Sequence, residues 1–499
     1  MLRLIMITLI FNLSFSEAIV HRYVYKPQYA REFDNSLINT YNNRNEEELI
    51  NFINNVVESN DLPGVSVSVV KGDNVVWNQG FGMANIEQDI VVSDSTMFML
   101  ASVSKTVTAT ALMKLWEDGL IDLNQNINQY LSFNVSHPNF PMVPITAKML
   151  LSHTSGIKDN WSVMPYYEGD SEIDLARYLQ EYLVPGGDFY NQNLNYTISA
   201  PGTNFQYSNI AVALIGHLVE AISNQPFNQF CNEHIFEPLN MESRWFLSEV
   251  DINNLATLYE ISFGTGYGNN CFEIGCGVFS YDNPCQCDEI CDYYEDCCGD
   301  YDEVCGEGGT GTGFIPIEHY GYSDYPSGQL RTSSKDLAKF LVLFSNGGIY
   351  QDIRILEEET VEYMKSIPYP NIDSQQAYIW YYKNQAGRNL FGHNGGDWAV
   401  SADMFLSLSD EIGVIVLTNC ANYSAMIEIE NAVFDYAEQY DFISNVMGDL
   451  NFDLTVNILD VIMLVNTILQ NQYIENGDLN YDNQINIQDA ILMVNIIIS

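Results

Sequence analysis

Strand-like runs stand at both ends of the chain's longest apolar-patterned stretch, with helical patterns between them. Val65 to Val70 alternates with a period of two, and Val75 to Gly80 follows across the turn Lys71-Gly72-Asp73-Asn74, the signature of a β-hairpin. More than 300 residues later, Ala399 to Leu406 and Ile412 to Leu417 form a second hairpin-like pair, followed by a helical pattern from Ser424 to Tyr440. In front of the first pair, Leu49, Ile50, Phe52, Ile53, Val56 and Val57 make Glu46 to Ser59 an amphipathic helix. Strands at both ends with helices between imply an α/β fold: one antiparallel sheet assembled from distant pieces, flanked by helices, with a mostly helical region inserted.

Within the helical stretch, Ser102-Val103-Ser104-Lys105 sets a hydroxyl and an amine three residues apart. Residues i and i+3 share a helix face, and a serine hydroxyl is a poor nucleophile until a base takes its proton. The spacing recurs at Ser68 to Lys71 and at Ser155 to Lys158. The first of these lies on a strand, which turns the two side chains to opposite faces. The second runs into Gly156, a turn signal with no helix behind it. Ser102 instead opens the apolar pattern Val103, Val107, Ala111, Leu112, Leu115, which ends at Gly119. Free N–H groups at such a helix start suit an oxyanion. On spacing alone, a serine capping an ordinary core helix is the competing reading.

Tyr207-Ser208-Asn209 follows a Pro201-Gly202 turn and precedes an apolar helix, Ile210 to Ala221, and His393-Asn394-Gly395 sits where a strand meets Gly396. With Ser102 and Lys105, these motifs resemble, in order, those of the serine beta-lactamase and penicillin-binding-protein family. Leu150-Leu-Ser-His-Thr-Ser-Gly-Ile157, Glu237-Pro-Leu-Asn-Met241 and Ser327-Gly-Gln-Leu-Arg-Thr-Ser-Ser-Lys-Asp-Leu337 are similar to its class C and esterase-like branch. The resemblance implies a serine hydrolase acting through an acyl-enzyme on a small ester, amide or peptide, with no catalytic cofactor. Its fold is an antiparallel sheet with a helical region, and its site lies at their junction. It implies Ser102 as nucleophile and Lys105 as its base or activator. Tyr207 relays protons, Asn209 holds Lys105 or the substrate amide, and His393 lines the pocket. Gly395 belongs to the strand motif, and the N–H groups of Ser102 and Gly396 form the oxyanion hole. His393 departs from the lysine common in members that recognise a substrate carboxylate. This weakens the penicillin and carboxypeptidase readings and leaves esterase, amidase or D-amino-acid peptidase activity more open; beta-lactamase or D-stereospecific peptidase is the runner-up to esterase.

At the N-terminus, Arg3, the apolar run Leu4 to Phe11 and Ser16-Glu17-Ala18 read as a secretory signal peptide over residues 1–18. Residues 19–44 read as a linker or surface arm, and the hydrolase domain is expected over 45–440. With 65 acidic and 19 basic residues, the net charge is -46, which disfavours phosphate backbones and so nucleic-acid binding.

Eight of the ten cysteines, Cys271, Cys276, Cys285, Cys287, Cys291, Cys297, Cys298 and Cys305, crowd one insert, residues 271–305. That density implies a disulfide framework made in an oxidising compartment. Metal binding is the alternative. Cys285 to Tyr301 is similar to a somatomedin B domain, which implies a small disulfide-rich module with a protein partner. Cys231 and Cys420 sit in apolar contexts, as buried thiols or, alternatively, a bridge.

Residues 441–499 carry a repeat of period 29. Asp449, Asn451, Asp453, Thr455, Asn457 and Asp460 recur as Asp478, Asn480, Asp482, Gln484, Asn486 and Asp489. Oxygen-bearing residues at these loop positions suit calcium, and each loop runs into an apolar helix, Val461 to Leu469 and Ala490 to Ile498. The pair resembles a type I dockerin, which implies two calcium ions, a small all-α module and a cohesin-like protein partner. At loop position 6, where glycine is expected, stand Leu454 and Asn483. Together these features imply a secreted, scaffold- or surface-attached hydrolase. A catalytically retired binding or adhesion protein is the reading of another class.

Overall fold

The two distant hairpins meet in one sheet. The computed structural model describes residues 46–262, 297–298, 313–439, 448–450, 456–469, 473, 475–480 and 484–498. The expected signal peptide and arm lie outside the described residues, as do Asn451, Asp453, Thr455 and Asp482 and the cysteine-rich insert apart from Cys297 and Cys298. Those two cysteines are disulfide-bonded. Cys231 and Cys420 are buried free thiols.

The sheet strands are β1 (Gly64–Lys71), β2 (Asn74–Asn85), β3 (Ile90–Val91), β4 (Tyr381–Gln385), β5 (Arg388–Asp397), β6 (Val400–Ser407) and β7 (Ile412–Thr418), in the spatial order β4-β5-β6-β7-β1-β2-β3. Every neighbouring pair is antiparallel. The join between the chain's two ends is β1 with β7, where Val65 faces Thr418 and Lys71 faces Ile412.

The period-two pattern decides which helices cover which face. Val65, Val67 and Val69, with Val414 and Val416, pack under α1 (Glu46–Ser59) and a C-terminal helix, Tyr423–Gln439. The opposite face carries Ser66 and Ser68, whose hydroxyls meet that of Ser334 at 2.7 and 2.9 Å. Ser334 begins the helix Ser334–Ser345. The alternating small polar residues of β1 are thus buried and hydrogen-bonded rather than solvated.

Between β3 and β4 lies the helical region, built around α2 (Ser104–Glu117) and α3 (Asn209–Ser223), most of whose residues are buried. Their side chains merge with Ala402, Met404, Ile415 and Leu417 of the sheet into one core. Beneath the other face, Lys383 of β4 meets Asp403 at 3.2 Å and Glu430 at 3.1 Å, all three buried. Burial, then the charge of Glu430, push the Asp403 carboxyl well above the usual carboxylate range.

Two expectations are adjusted. His393-Asn394-Gly395 lies inside β5 rather than at its end, because Gly395 and Gly396 continue the ladder opposite Ala402 and Ser401. Ser102 sits in a short 3-10 turn, Ala101–Val103, that leads into α2. Its hydroxyl caps neither turn nor helix, which removes the helix-cap reading.

In the C-terminal module, the helices Ile458–Leu469 and Ile487–Ile498 share a core of Leu450, Leu464, Ala490 and Met493. No helix among the described residues is long and apolar enough to cross a membrane.

Candidate active site

The turn that carries Ser102 is held from two sides. Leu100 N–H donates to Leu330 O at 2.9 Å, and Ser104 Oγ accepts from Leu330 N–H at 3.1 Å. Between them Ala101 adopts φ +46°, a left-handed backbone that costs an L-residue about 1–2 kcal/mol. On the strand side, a Cβ added at Gly395 would lie 2.2 Å from Leu100 O and 3.1 Å from Ser102 N. Only glycine lets β5 approach this turn so closely. The next residue, Gly396, is half-buried.

Two side chains converge on the Ser102 hydroxyl. Lys105 Nζ donates to Ser102 Oγ at 2.9 Å, and Tyr207 Oη donates to it at 2.8 Å. Lys105 is 1% exposed, and its amine also donates to Ser327 O. The Ser327 hydroxyl in turn donates to Asp324 Oδ2 at 2.9 Å. The loop 324–330 therefore cradles the lysine from below.

Tyr207 and Asn209 flank the start of α3. Ser208 caps it by accepting from Ala211 N–H at 3.0 Å, a cap worth about 1 kcal/mol. Asp159 gathers the same terminus, accepting from Ser208 Oγ at 3.0 Å, Asn209 N–H at 3.0 Å and Ile210 N–H at 3.1 Å. Burial raises the Asp159 carboxyl above its ordinary value despite these bonds, and the charge of Asp324 adds to the rise. His153 accepts from Gln206 N–H through its carbonyl at 2.7 Å and from Ser208 N–H through Nδ1 at 3.3 Å. The residue that positions the tyrosine is thus the histidine of the Leu150 to Ile157 stretch.

His393 is 2% exposed, and its ring lies 6.4 Å from that of Tyr207. Its Nδ1 sits 2.6 Å from Asn394 O, so that nitrogen carries the proton. Burial, reinforced by the positive Lys105, pushes its pKa down to about 3. At neutral pH it is an uncharged wall.

The structure thus brings Ser102, Lys105, Tyr207, His393 and Gly395 together, with Asn209 at the first position of α3. Sequence reasoning missed Asp159, Asp324 and the positioning role of His153. Of these, only His153 lay in a motif that drew attention.

A turn carrying Ser102, wedged between a helical region and an antiparallel sheet, with lysine and tyrosine on that one serine, fits the beta-lactamase type of fold. A family model described as Beta-lactamase matches residues 49–437, and the chain belongs to that family. A second, Dockerin type I domain, matches residues 447–498. Among solved structures, the octameric penicillin-binding protein homologue from Pyrococcus abyssi aligns with a TM-score of 0.54 at 21% identity, covering 79% of this chain and 78% of that one. The D-amino acid amidase of Ochrobactrum anthropi SV3 complexed with D-phenylalanine aligns at 0.54 and 18%, covering 78% and 99%. EstCE1, a hydrolase with promiscuous acyltransferase activity, aligns at 0.54 and 17%, covering 78% and 98%. These likenesses show the fold. By sequence, Protein flp of Staphylococcus aureus (strain MW2) is 25% identical over 206 residues, 41% of this chain and 39% of that protein.

The donor chemistry of the C-terminal loops fits calcium. Asp449, Asp460 and Asp489 are fully buried and Asp478 is 4% exposed, while residues 441–499 contain no lysine or arginine to neutralise them. Asp460 orients its loop by accepting from Leu450 N–H and Asn457 N–H, both at 2.8 Å. Asp489 does the same for Asn480 N–H at 3.4 Å and Asn486 N–H at 2.9 Å. Hard oxygen donors of this kind suit Ca2+.

Proposed function

We propose that this protein is a secreted serine hydrolase that cleaves an ester or amide through an acyl-enzyme on Ser102, and that its dockerin domain attaches it to a cohesin-like partner. The observation that carries this reading is the convergence of Lys105 Nζ and Tyr207 Oη on Ser102 Oγ, at 2.9 and 2.8 Å. Ser102 Oγ bonds to the substrate carbonyl carbon as its proton passes to the amine of Lys105, which acts here in its neutral form. The carbonyl oxygen takes the negative charge and is received by the N–H groups of Ser102 and Gly396. Donors of this kind contribute roughly 3–4 kcal/mol each to transition-state stabilisation. Tyr207 then gives a proton to the departing alcohol or amine as the C–O or C–N bond breaks. Tyr207 then takes a proton from water as the water oxygen bonds to the acyl carbon, and the acyl–Oγ bond breaks with Lys105 returning its proton to Ser102, which releases the acid.

The neutral His393 supports esters and amides that present no carboxylate at this position. Beta-lactamase or D-stereospecific peptidase chemistry is the second reading.

Calcium held by the two dockerin loops organises the module that binds the partner, and the cysteine-rich insert, read as somatomedin B-like, offers a second protein contact. Secretion rests on the leader-like residues 1–18.

Intact-protein mass spectrometry with a fluorophosphonate probe, together with p-nitrophenyl acetate turnover, tests the hydrolase reading. A covalent adduct and turnover that both vanish in Ser102→Ala are expected. A folded, calcium-loaded protein that shows neither is a binding protein instead.

A further inference from the structure

Along β5, residues 393, 395 and 397 share one face, since successive side chains alternate. His393 and Gly395 turn that face to Tyr207 and to Ser102 N. Asp397 therefore lies on the nucleophile's side of the sheet, roughly 7 Å further along the strand than Gly395.

Its setting is unusual for a carboxylate. Asp397 is 8% exposed, and among the described residues it pairs with no lysine, arginine or histidine. Among the described residues, its Oδ1 accepts from Tyr166 Oη and from Trp398 N–H, the latter at 2.9 Å. Around it stands an aromatic wall. Tyr166 packs 6.0 Å from Trp398, and Tyr320 stacks 5.9 Å from Trp398 while donating its hydroxyl to Trp398 O at 2.8 Å. These rings share a cluster with Ala101, the residue before the nucleophile. Trp398 is its half-buried, outermost member.

A fixed carboxylate beside a half-buried indole is the chemistry that receives an ammonium group. The carboxylate gives a charge-assisted hydrogen bond and the ring a cation–π contact. Lys105 is committed to Ser102 and Ser327, and His393 is uncharged, so neither stands beside Asp397 as a counter-ion.

We infer that Asp397, with Trp398, forms a subsite for a protonated amine on the acyl part of the substrate, close to the reacting carbonyl. The preferred substrates are then amino-acyl esters or amides with a free amine. The inference deepens the hydrolase reading and rests on it.

The test compares kcat/KM for alanine benzyl ester and N-acetylalanine benzyl ester, each as both enantiomers, in the full-length calcium-loaded protein and in Asp397→Asn. Taking the ratio of the two substrates within each protein cancels any general loss of turnover. The free-amine to acetylated ratio is expected to fall about tenfold or more in the variant, the scale of one charge-assisted contact. An unchanged ratio means that Asp397 only anchors Tyr166, and overturns the inference. If Ser102-dependent turnover of p-nitrophenyl acetate is itself missing, the hydrolase reading fails separately. Calorimetry of alaninamide and N-acetylalaninamide on Ser102→Ala and Ser102→Ala/Asp397→Asn then decides the subsite. A preference for the free amine that disappears with Asp397 upholds it, and equal or undetectable binding of both ligands refutes it.

Discussion

The ring of His153 lies 4.4 Å from that of Tyr207, tilted by 38°, and the same histidine accepts the backbone N–H groups on either side of the tyrosine. Tyr207 is thus placed by its neighbours rather than by its own hydroxyl. Tyr207→Phe is therefore expected to keep the ring packing and the stability while losing the donor to Ser102. Its kcat on p-nitrophenyl acetate should fall about 100-fold or more, the range of general acid–base contributions, with the thermal midpoint within a few degrees of the parent. A small loss of kcat would assign proton relay elsewhere.

His393 sets a pH dependence of stability. In the native protein its imidazole stays neutral down to about 3, whereas in the unfolded chain it takes a proton near 6.5. Between these values the unfolded state binds more protons, so stability present above pH 6.5 is lost progressively as pH falls toward 3. The slope contributed is about 1.4 kcal/mol per pH unit at most. Urea unfolding of the parent and of His393→Gln at pH 7 and pH 4.5 checks this. The parent should lose more, and parallel losses would remove His393 as the cause.

Lys383 stands between two buried carboxylates. Removing one partner of a buried ion pair typically costs about 3–5 kcal/mol. Lys383→Met is expected to destabilise on that scale. Adding Glu430→Gln should recover part of the loss, because the amide removes one of the stranded charges. Denaturant midpoints of the single and double variants read this directly, and an additive further loss in the double variant would count against it.

The two calcium loops are expected to differ. Asn483 tolerates a left-handed backbone at loop position 6, and Leu454 does not readily do so. Calcium titration by calorimetry should therefore find the tighter site lost in Asp478→Ala and retained in Asp449→Ala. Equal residual affinities would reject the asymmetry.

How much of this was legible beforehand depended on sequence distance. Ser102 and Lys105 could be read because a helical turn brings i and i+3 together, and the sheet because β1 alternates with a period of two and β2, β6 and β7 are short apolar runs set off by turns. Strand β4 went unread. The cradle was equally hidden: Asp159 acts on residues some 50 positions away and Asp324 reaches Lys105 through Ser327, so neither leaves a local pattern. The interior placement of His393 was obscured because Gly395 and Gly396 resemble a strand terminus, whereas close approach to Leu100 is what requires the glycine at 395.

The pairing of Val65 with Thr418 also fixes an order of events during synthesis. The first hairpin is made early, yet its β7 partner appears only after some 350 further residues. At roughly 5–20 residues per second that is a wait of about 20 to 70 seconds, during which an apolar strand edge has no native mate. Completion of this sheet is therefore a late event, tied to the arrival of the chain's last catalytic-domain strand. Any truncation before residue 412 would leave the early half permanently waiting.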